Sequence, residues 1–439
     1  MSLPRLALVT PLPPSPSGIA DYSLDVALAL TGRFECDFFT DQAQVDEGRL
    51  PAGARWFPTT ELPARHAAGA YAGLGYQLGN SPEHTCVYEL LPRLPGLLVL
   101  HDLVLHHARA RFFLESPAAR AYAARPDSAT RRDAALADVA RYRAELAYSY
   151  PAQAERLVEA QLNTTGALLP YAWPLFRLPV EAARLVAVHN GFMARAVREE
   201  APEAEVATLP MPVRPLPVAD GAAASLRARL GLAPDDVVVG CFGLLTPEKR
   251  VETIARAVAR AAPSLPSLRL LLVGGAPDRA WLQALLERVG VASRTVVTGR
   301  VPFDELGAHL EAADLAVHLR YPTARETSAA LLRLLAQGRP VVMADLEHQA
   351  AIPEEAALRA DVADEEGEVT RALLRLGERP DLRARLGRAA AAWAAREHSF
   401  ARAAEAWAEA LARCAALPVP RPRPSWPAHW RASASGSLV

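Results

Sequence analysis

Residues 318–345 read HLRYPTARETSAALLRLLAQGRPVVMAD, and their pattern is strand, turn, helix, strand. The turn holds one acidic residue and two hydroxyls, Glu326, Thr327 and Ser328, where the helix should begin. The apolar helix ends at Gly338, and Pro340, Val341, Val342 and Met343 open a new buried strand. The first amide N–H groups of a helix have no partner within it, so a helix start aimed into a cleft is ready to take an anion. That predicts a phosphate-bearing ligand. The carboxylate of Glu326 predicts that something polyhydroxylated is attached to the phosphate.

The same alternation runs outward from this segment. Strands are expected at 237–242, 268–273, 295–298 and 315–319, with helices over 247–262, 278–289 and 303–313 between them. In the first half, strands are expected at 6–10, 35–39, 75–78, 96–101, 183–189 and 207–210, and helices at 18–31 and 193–200. Strands alternating with helices imply parallel α/β sheets. Residues 105–172 break the pattern. Helix-forming residues dominate there, interrupted by Pro117, Pro126 and Pro151, which predicts a helical insertion. Residues 211–220 carry Pro212, Pro215 and Pro217, a linker composition between two lobes. Helices over 380–397 and 400–416 close the chain, and the Pro- and Ser-rich stretch 418–439 is expected to be poorly ordered.

A chain of 439 residues, 51% apolar, has length for two or three domains with real cores. Its 48 basic and 49 acidic residues leave a net charge of −1, which argues against a nucleic-acid partner held by bulk electrostatics. Cys36, Cys86, Cys241 and Cys414 are far apart and follow no metal-ligand spacing, which favours a reducing compartment over a disulfide framework. The apolar run 6–10 is short and Pro11 follows it, so it reads as a buried strand and not as a signal peptide. No apolar run has the length of a membrane span. A cytoplasmic protein, soluble or peripheral at a membrane, is the expectation.

Four constellations carry chemistry. In the run 243–250, GLLTPEKR, a strand ends and a helix is expected with Thr246 as N-cap and Pro247 at its first position. Lys249 in a first turn is disfavoured by the helix dipole unless both share an anion. The turn at Glu326 is the second constellation. Both lie at carboxyl ends of parallel strands, where ligands of open α/β sheets bind. The third is His101-Asp102 at a strand end, followed by His106 and His107. A histidine facing an interlobe cleft fits better than a metal site, because no second ligand cluster completes a set. The fourth is PLPPSPSGIADY, 11–22. Gly18 follows a strand and opens a helix, so the backbone there can approach a ligand; a plain turn glycine is the other reading. Neither this run nor Val273-Gly274-Gly275-Ala276 has the dinucleotide fingerprint, which disfavours a nicotinamide dehydrogenase.

Together these residues resemble the retaining, nucleotide-sugar-dependent glycosyltransferases of the group-1 family with the GT-B fold. The resemblance covers nearly the whole chain except the insertion and the tail, and is strongest over 237–345. The run F-G-x-x-x-P-E-K, 242–249, resembles the family's diphosphate-binding loop. Val297-Thr298-Gly299-Arg300-Val301 resembles the strand end that holds the base, and Glu326 with the helix ending at Gly338 resembles the donor-sugar region. Ser17-Gly18-Ile19 and His101-Asp102 resemble the loop and the histidine that face the donor.

The resemblance implies an α/β fold of two Rossmann-like lobes facing across a cleft. Residues 1–212 would be the acceptor-side lobe, with the insertion at about 105–172, and 213–400 the nucleotide-sugar lobe. A closing helix over 401–417 has crossing back as one expectation. It also implies transfer of a hexose from a nucleoside diphosphate sugar to a hydroxyl acceptor, with retention and with no cofactor or metal. The acceptor would be a glycan, a lipid-linked glycan or a small molecule, as in polysaccharide biosynthesis. Gly18, Gly243, Lys249, Arg300, Val301, Glu326, Thr327, Ser328 and Arg333 would bind the donor. Glu326, Lys249 and His101 would serve catalysis, and Asp21, Tyr22, His101 and Asp102 would line the acceptor side. The insertion would shape the acceptor site, packed as a helical cap or touching a membrane surface.

The sequence departs from the family pattern. The family's two glutamates have seven residues between them. Counting back from Gly338 puts them at Arg333 and Arg325, so Glu326 is displaced by one and its partner is an arginine. Leu244 stands where the family commonly has arginine. Arg333 would then engage ribose or phosphate. These changes keep two other readings open: a nucleotide-sugar epimerase or hydrolase, and a catalytically silent nucleotide-sugar-binding homologue.

Overall fold

The computed structural model describes residues 3–436. Two residues at the start of the expected first lobe and three at the end of the expected tail lie outside the described residues. The chain divides into two compact units, residues 1–211 with 324–327 and 400–439, and residues 212–323 with 328–399.

The first unit holds strands β1 Arg5–Val9, β2 Glu35–Thr40, β3 Arg55–Pro58, β4 Gly73–Leu78, β5 Leu97–Leu100, β6 Leu185–Val188 and β7 Val206–Thr208. They form one parallel sheet in the order β3-β2-β1-β4-β5-β6-β7. The second unit holds β8 Val237–Phe242, β9 Leu268–Val273, β10 Thr295–Gly299, β11 Leu315–His318, β12 Val341–Ala344 and β13 Leu358–Ala360. These are also parallel, in the order β10-β9-β8-β11-β12-β13. Both sheets are wound outward in two directions from a first strand, so each has a switch point, β1/β4 in one and β8/β11 in the other. The central strands are continuous apolar runs such as VVVGCF and LLVL, buried along their length, as a sheet covered on both faces requires. No helix of the described residues is long and apolar enough to cross a membrane.

Between β5 and β6 the insertion folds as helices His106–Leu114, Pro117–Ala124, Ala129–Ser149, Ala154–Leu162 and Leu169–Ala172. It has a core of its own, built around Phe113, Tyr142, Leu146, Leu157 and Val158. Ser116 explains why Pro117 starts a helix and does not merely break one: its hydroxyl accepts from the Ala119 amide at 3.0 Å. The closing helix Phe400–Ala416 belongs to the first unit, where Arg184 donates to the carbonyls of Leu417 and Ala415 at 2.6 and 2.8 Å.

Three expectations are corrected. The described part of the tail, residues 418–436, is ordered: Trp426 and Trp430 are each 2% exposed, and Ala428–Ser435 is a helix. Composition hid two anchors spaced by one helical turn. Trp426 Nε1 donates to Glu181 at 3.1 Å, and Trp430 Nε1 donates to Glu145 at 2.7 Å. The helix expected over 247–262 is broken. Pro247–Lys249 is a 3-10 turn, Arg250 adopts a left-handed φ of 55°, and the α-helix is Val251–Ala261. Arg250 is held there by Glu365 at 2.7 Å. Finally, the helix expected to begin around Glu326 begins one residue after Ser328. Ser328 is the N-cap, accepting from the Leu331 amide at 3.4 Å, and the helix is Ala329–Ala336. Its first amides are therefore those of Ala329 and Ala330, not of Thr327 and Ser328.

Candidate functional site

In the second unit the carboxyl ends of β8, β9 and β10 are laced by backbone bonds. Gly243 N–H donates to Val273 O at 2.9 Å, Leu245 N–H to Gly275 O at 2.8 Å, and Gly274 N–H to Gly299 O at 2.9 Å. Gly274 has φ +150°, and a Cβ there would sit 1.8 Å from Gly243 O, so only glycine lets β8 and β9 end this close together. Tyr321 N–H donates to Glu248 O at 2.9 Å, which ties the exit of β11 to the 3-10 turn after β8.

The broken helix changes what Lys249 does. It ends a 3-10 turn instead of lying in an α-helix, and the turn sends its side chain inward, leaving the residue 7% exposed. Its ammonium lies 3.5 Å from where a Cβ on Gly243 would be. It acts electrostatically on two neighbours. Burial pushes the Cys241 thiol up to about 11 while Lys249 pulls it the other way. Burial first, then Lys249, Arg320 and His348, hold the His318 imidazole well below its usual range. Positive groups thus gather at the carboxyl ends of β8 and β11, an environment complementary to an anion. Burying an ammonium is costly, so a charge kept there implies a use for it.

The other second-unit candidates lie at and beside the loop after β10. Arg300 is exposed and Val301 half-buried just beyond β10. The Arg333 guanidinium lies 5.0 Å from the Phe303 ring centre, which places the arginine beside the 300–303 loop. Leu244, at the position of the family's arginine, is 57% exposed.

In the first unit, His101 ends β5 and is buried. Its Nε2 meets Gln77 Oε1 at 2.7 Å, and its ring stands 4.7 Å from Tyr22 and 4.9 Å from His189. Burial, then His189 and His84, depress its pKa well below the usual range, so the ring is neutral at pH 7. Tyr22, read from the sequence as an acceptor contact, is 3% exposed and forms a wall under His101. Asp21 pairs with Arg49 at 2.9 Å. Asp102 accepts from the Asn80 amide at 2.7 Å, and Asn80 Oδ1 accepts from the Ala108 amide at 2.9 Å, so the start of the insertion hangs from this strand end. Ser17 caps the helix Gly18–Ala29. A Cβ on Gly18 would meet nothing within 4 Å, so packing does not require glycine there.

Glu326 and Thr327 are half-buried in the segment 324–327 of the first unit. Sequence reasoning missed the residue that holds them, Asn190. Its Oδ1 accepts from the Met193 amide at 2.9 Å, capping the helix Gly191–Glu200. Its Nδ2 donates to Arg325 O at 3.0 Å and to Thr327 Oγ1 at 3.2 Å. The signal was present: an Asn directly after a buried strand and before an apolar helix is a cap candidate. His318, Arg320 and His348 were also missed. Replacing Asn190 with Ala should cost about 1–2 kcal/mol through the lost cap alone, read as a lower urea midpoint.

His84 gives a pH prediction. Its Nδ1 lies 2.8 Å from Gln77 O, and burial pushes its pKa down to about 4 from 6.5. The unfolded chain then binds a proton that the folded one refuses, so stability is complete above pH 6.5 and falls as pH drops towards 4. The slope for one such group approaches about 1.4 kcal/mol per pH unit. Urea midpoints of wild type and His84→Asn, measured from pH 7.5 to 4, should converge as pH falls; parallel curves would refute the reading.

Residues 236–379 match the family model described as Glycosyl transferases group 1. The chain is 37% identical over 94 residues to the GDP-mannose-dependent alpha-(1-6)-phosphatidylinositol monomannoside mannosyltransferase of Mycolicibacterium smegmatis, covering 21% of this chain and 24% of that protein. It is 34% identical over 151 residues to the D-inositol 3-phosphate glycosyltransferase of Stackebrandtia nassauensis, covering 32% of this chain and 33% of the relative. The alignments thus span about a quarter to a third of these relatives' lengths. Over 93% of this chain and 99% of the other, the fold matches Anabaena Alr3699/HepE in complex with UDP and glucose, with TM-score 0.63 and 17% identity. WaaG, a glycosyltransferase involved in lipopolysaccharide biosynthesis, matches with TM-score 0.59 and 13% identity over 91% of this chain and 98% of WaaG. Residues 236–379 thus match the group 1 glycosyl transferase domain, and the two Rossmann-like sheets have the GT-B fold.

Proposed function

We propose that the protein transfers a hexose from a nucleoside diphosphate sugar to a hydroxyl acceptor, with retention of anomeric configuration. The observation that carries this is buried Lys249, sent inward beside Gly243 at the β8/β11 switch point of the family-matched unit. The bond that breaks joins the anomeric carbon to a phosphate oxygen, so negative charge grows on the leaving diphosphate. Lys249 and the Ala329 and Ala330 amides at the Ser328-capped helix start oppose that charge where it develops. Arg300, Val301 and Arg333 on Phe303 take the base and ribose, and Glu326 and Thr327 take sugar hydroxyls. Neutral His101 is a hydrogen-bond partner for the sugar or the acceptor and carries no charge to the reaction. The leaving phosphate accepts the acceptor's proton, so no enzymic base and no cofactor enter the scheme.

The relatives guide the donor choice: one is GDP-mannose-dependent, and the HepE structure holds UDP and glucose. The test is incubation with UDP- and GDP-hexoses and a panel of saccharide and polyol acceptors, with the product followed by proton NMR. An α-linked product from an α-linked donor supports the reading. An inverted linkage overturns retention, and donor epimerisation or hydrolysis without acceptor overturns transfer.

A further inference from the structure

The first unit contains a cavity of about 440 Å³ that the sugar-transfer reading does not use. It opens at the carboxyl end of β3, at Thr59 and Thr60, beside the first turn of the helix Thr85–Arg93. The insertion supplies one wall and the tail helix Ala428–Ser435 another. Its size falls in the range of small-molecule sites, roughly 300–1,000 Å³.

The lining is aromatic on one side and cationic at the rim. Tyr88, Phe112, Phe113 and Trp430 line it; Tyr88, Phe113 and Trp430 are buried, and Phe112 remains 40% exposed. The Arg109 guanidinium lies 4.0, 4.9 and 4.5 Å from the centres of the Tyr88, Phe112 and Phe113 rings. Its charge is balanced behind the wall by buried Glu145, which also accepts from His429 and Trp430. The rings are thereby fixed in place before anything binds. Arg93 and Arg141 stand at the rim with the carboxylate of Glu89, and Arg141 also pairs with Asp138 at 3.5 Å. The Tyr88 hydroxyl is fully enclosed and has no hydrogen-bond partner among the described residues. Such a group is costly to leave unmade, about 1–3 kcal/mol. Burial pushes the Cys86 thiol up to about 12, so the cavity offers no thiolate at neutral pH.

We propose that this cavity binds an organic anion carrying a flat ring: the ring against Phe112 and Tyr88, the carboxylate or phosphate between Arg93 and Arg141. Aromatic stacking supplies orientation and affinity, and the rim arginines supply charge-assisted hydrogen bonds in a fork geometry suited to phosphate and carboxylate. The cavity shares no lining residue with the proposed donor site, and its test does not depend on sugar transfer.

The probe is 1-naphthyl phosphate, titrated calorimetrically into the full chain with a saturating nucleoside diphosphate present, so that the donor site cannot take it. One-to-one binding is expected, at least tenfold tighter than inorganic phosphate or 1-naphthol. Phe112→Ala and the double variant Arg93→Ala/Arg141→Ala should each weaken it at least tenfold, with nucleoside diphosphate affinity unchanged in both. Circular dichroism checks that the variants are folded, and Phe112, being exposed, is the safer of the two. No binding, equal affinity for inorganic phosphate, or variants indistinguishable from wild type would each overturn the proposal.

Discussion

Lys249→Ala should lower donor turnover by about a hundredfold or more, the usual cost of removing one donor aimed at developing charge. The argument rests on placement. Lys249 is buried beside Gly243, among groups that are themselves positive, and it ends a turn that Tyr321 and Glu365 hold from two sides. Circular dichroism like that of wild type is the check that the variant folds. Steady-state kinetics on the best donor and acceptor of the panel is the check. A loss confined to KM would mean that Lys249 binds donor and transition state equally. An unchanged kcat/KM would remove Lys249 from the mechanism.

Glu145→Ala should destabilise the first unit by roughly 3–5 kcal/mol, because it leaves the buried Arg109 guanidinium unpaired. Glu145 accepts from Arg109, His429 and Trp430, joining two insertion helices to the tail helix. Burial alone would raise its pKa. The Arg109 charge and the hydrogen bonds from His429 and Arg109 override that and hold it at about 2. Its folded pKa is depressed, so its contribution is complete above pH 4.5 and is lost as pH falls from 4.5 towards 2. Urea unfolding followed by tryptophan fluorescence reads the effect, since Trp426 and Trp430 are buried in this region. Glu145→Gln, which keeps the shape and an acceptor, should recover part of the loss. A midpoint shift near zero for the alanine variant would show that the tail and insertion are held by apolar packing alone.

The fold was legible where burial leaves a simple pattern. Strands over 237–242 and 268–273 and helices over 380–397 and 400–416 agree residue for residue, because buried parallel strands are continuous apolar runs and long helices keep their period. β3, with sequence RWFP, and β13, with LRA, escaped notice: both are short edge strands, and only Ala360 among their residues is buried. The break at Arg250 was invisible because its cause is Glu365, more than a hundred residues away. The tail was misread because proline and serine outweighed two tryptophans whose partners, Glu145 and Glu181, lie far back in the chain.

The candidate site follows the same rule. Lys249 and His101 were readable because the loop of Lys249 follows the predicted strand 237–242 and His101 ends the predicted strand 96–101. His318 with His348 become partners through the order of strands in the sheet, and Asn190 with Thr327 because residues 324–327 fold into the first unit; local periodicity encodes neither. Arg333 is the instructive middle case. Its departure from the family pattern was visible, but its stacking on Phe303 beside the 300–303 loop was not.

The most direct measurement of the central claim is calorimetric titration of UDP and GDP into wild type and Lys249→Ala. One nucleoside diphosphate should bind wild type one-to-one and lose at least tenfold in affinity in the variant, about 1.4 kcal/mol or more. Absence of binding by either nucleotide, or equal affinity in the two proteins, would contradict a donor site at the β8/β11 switch point.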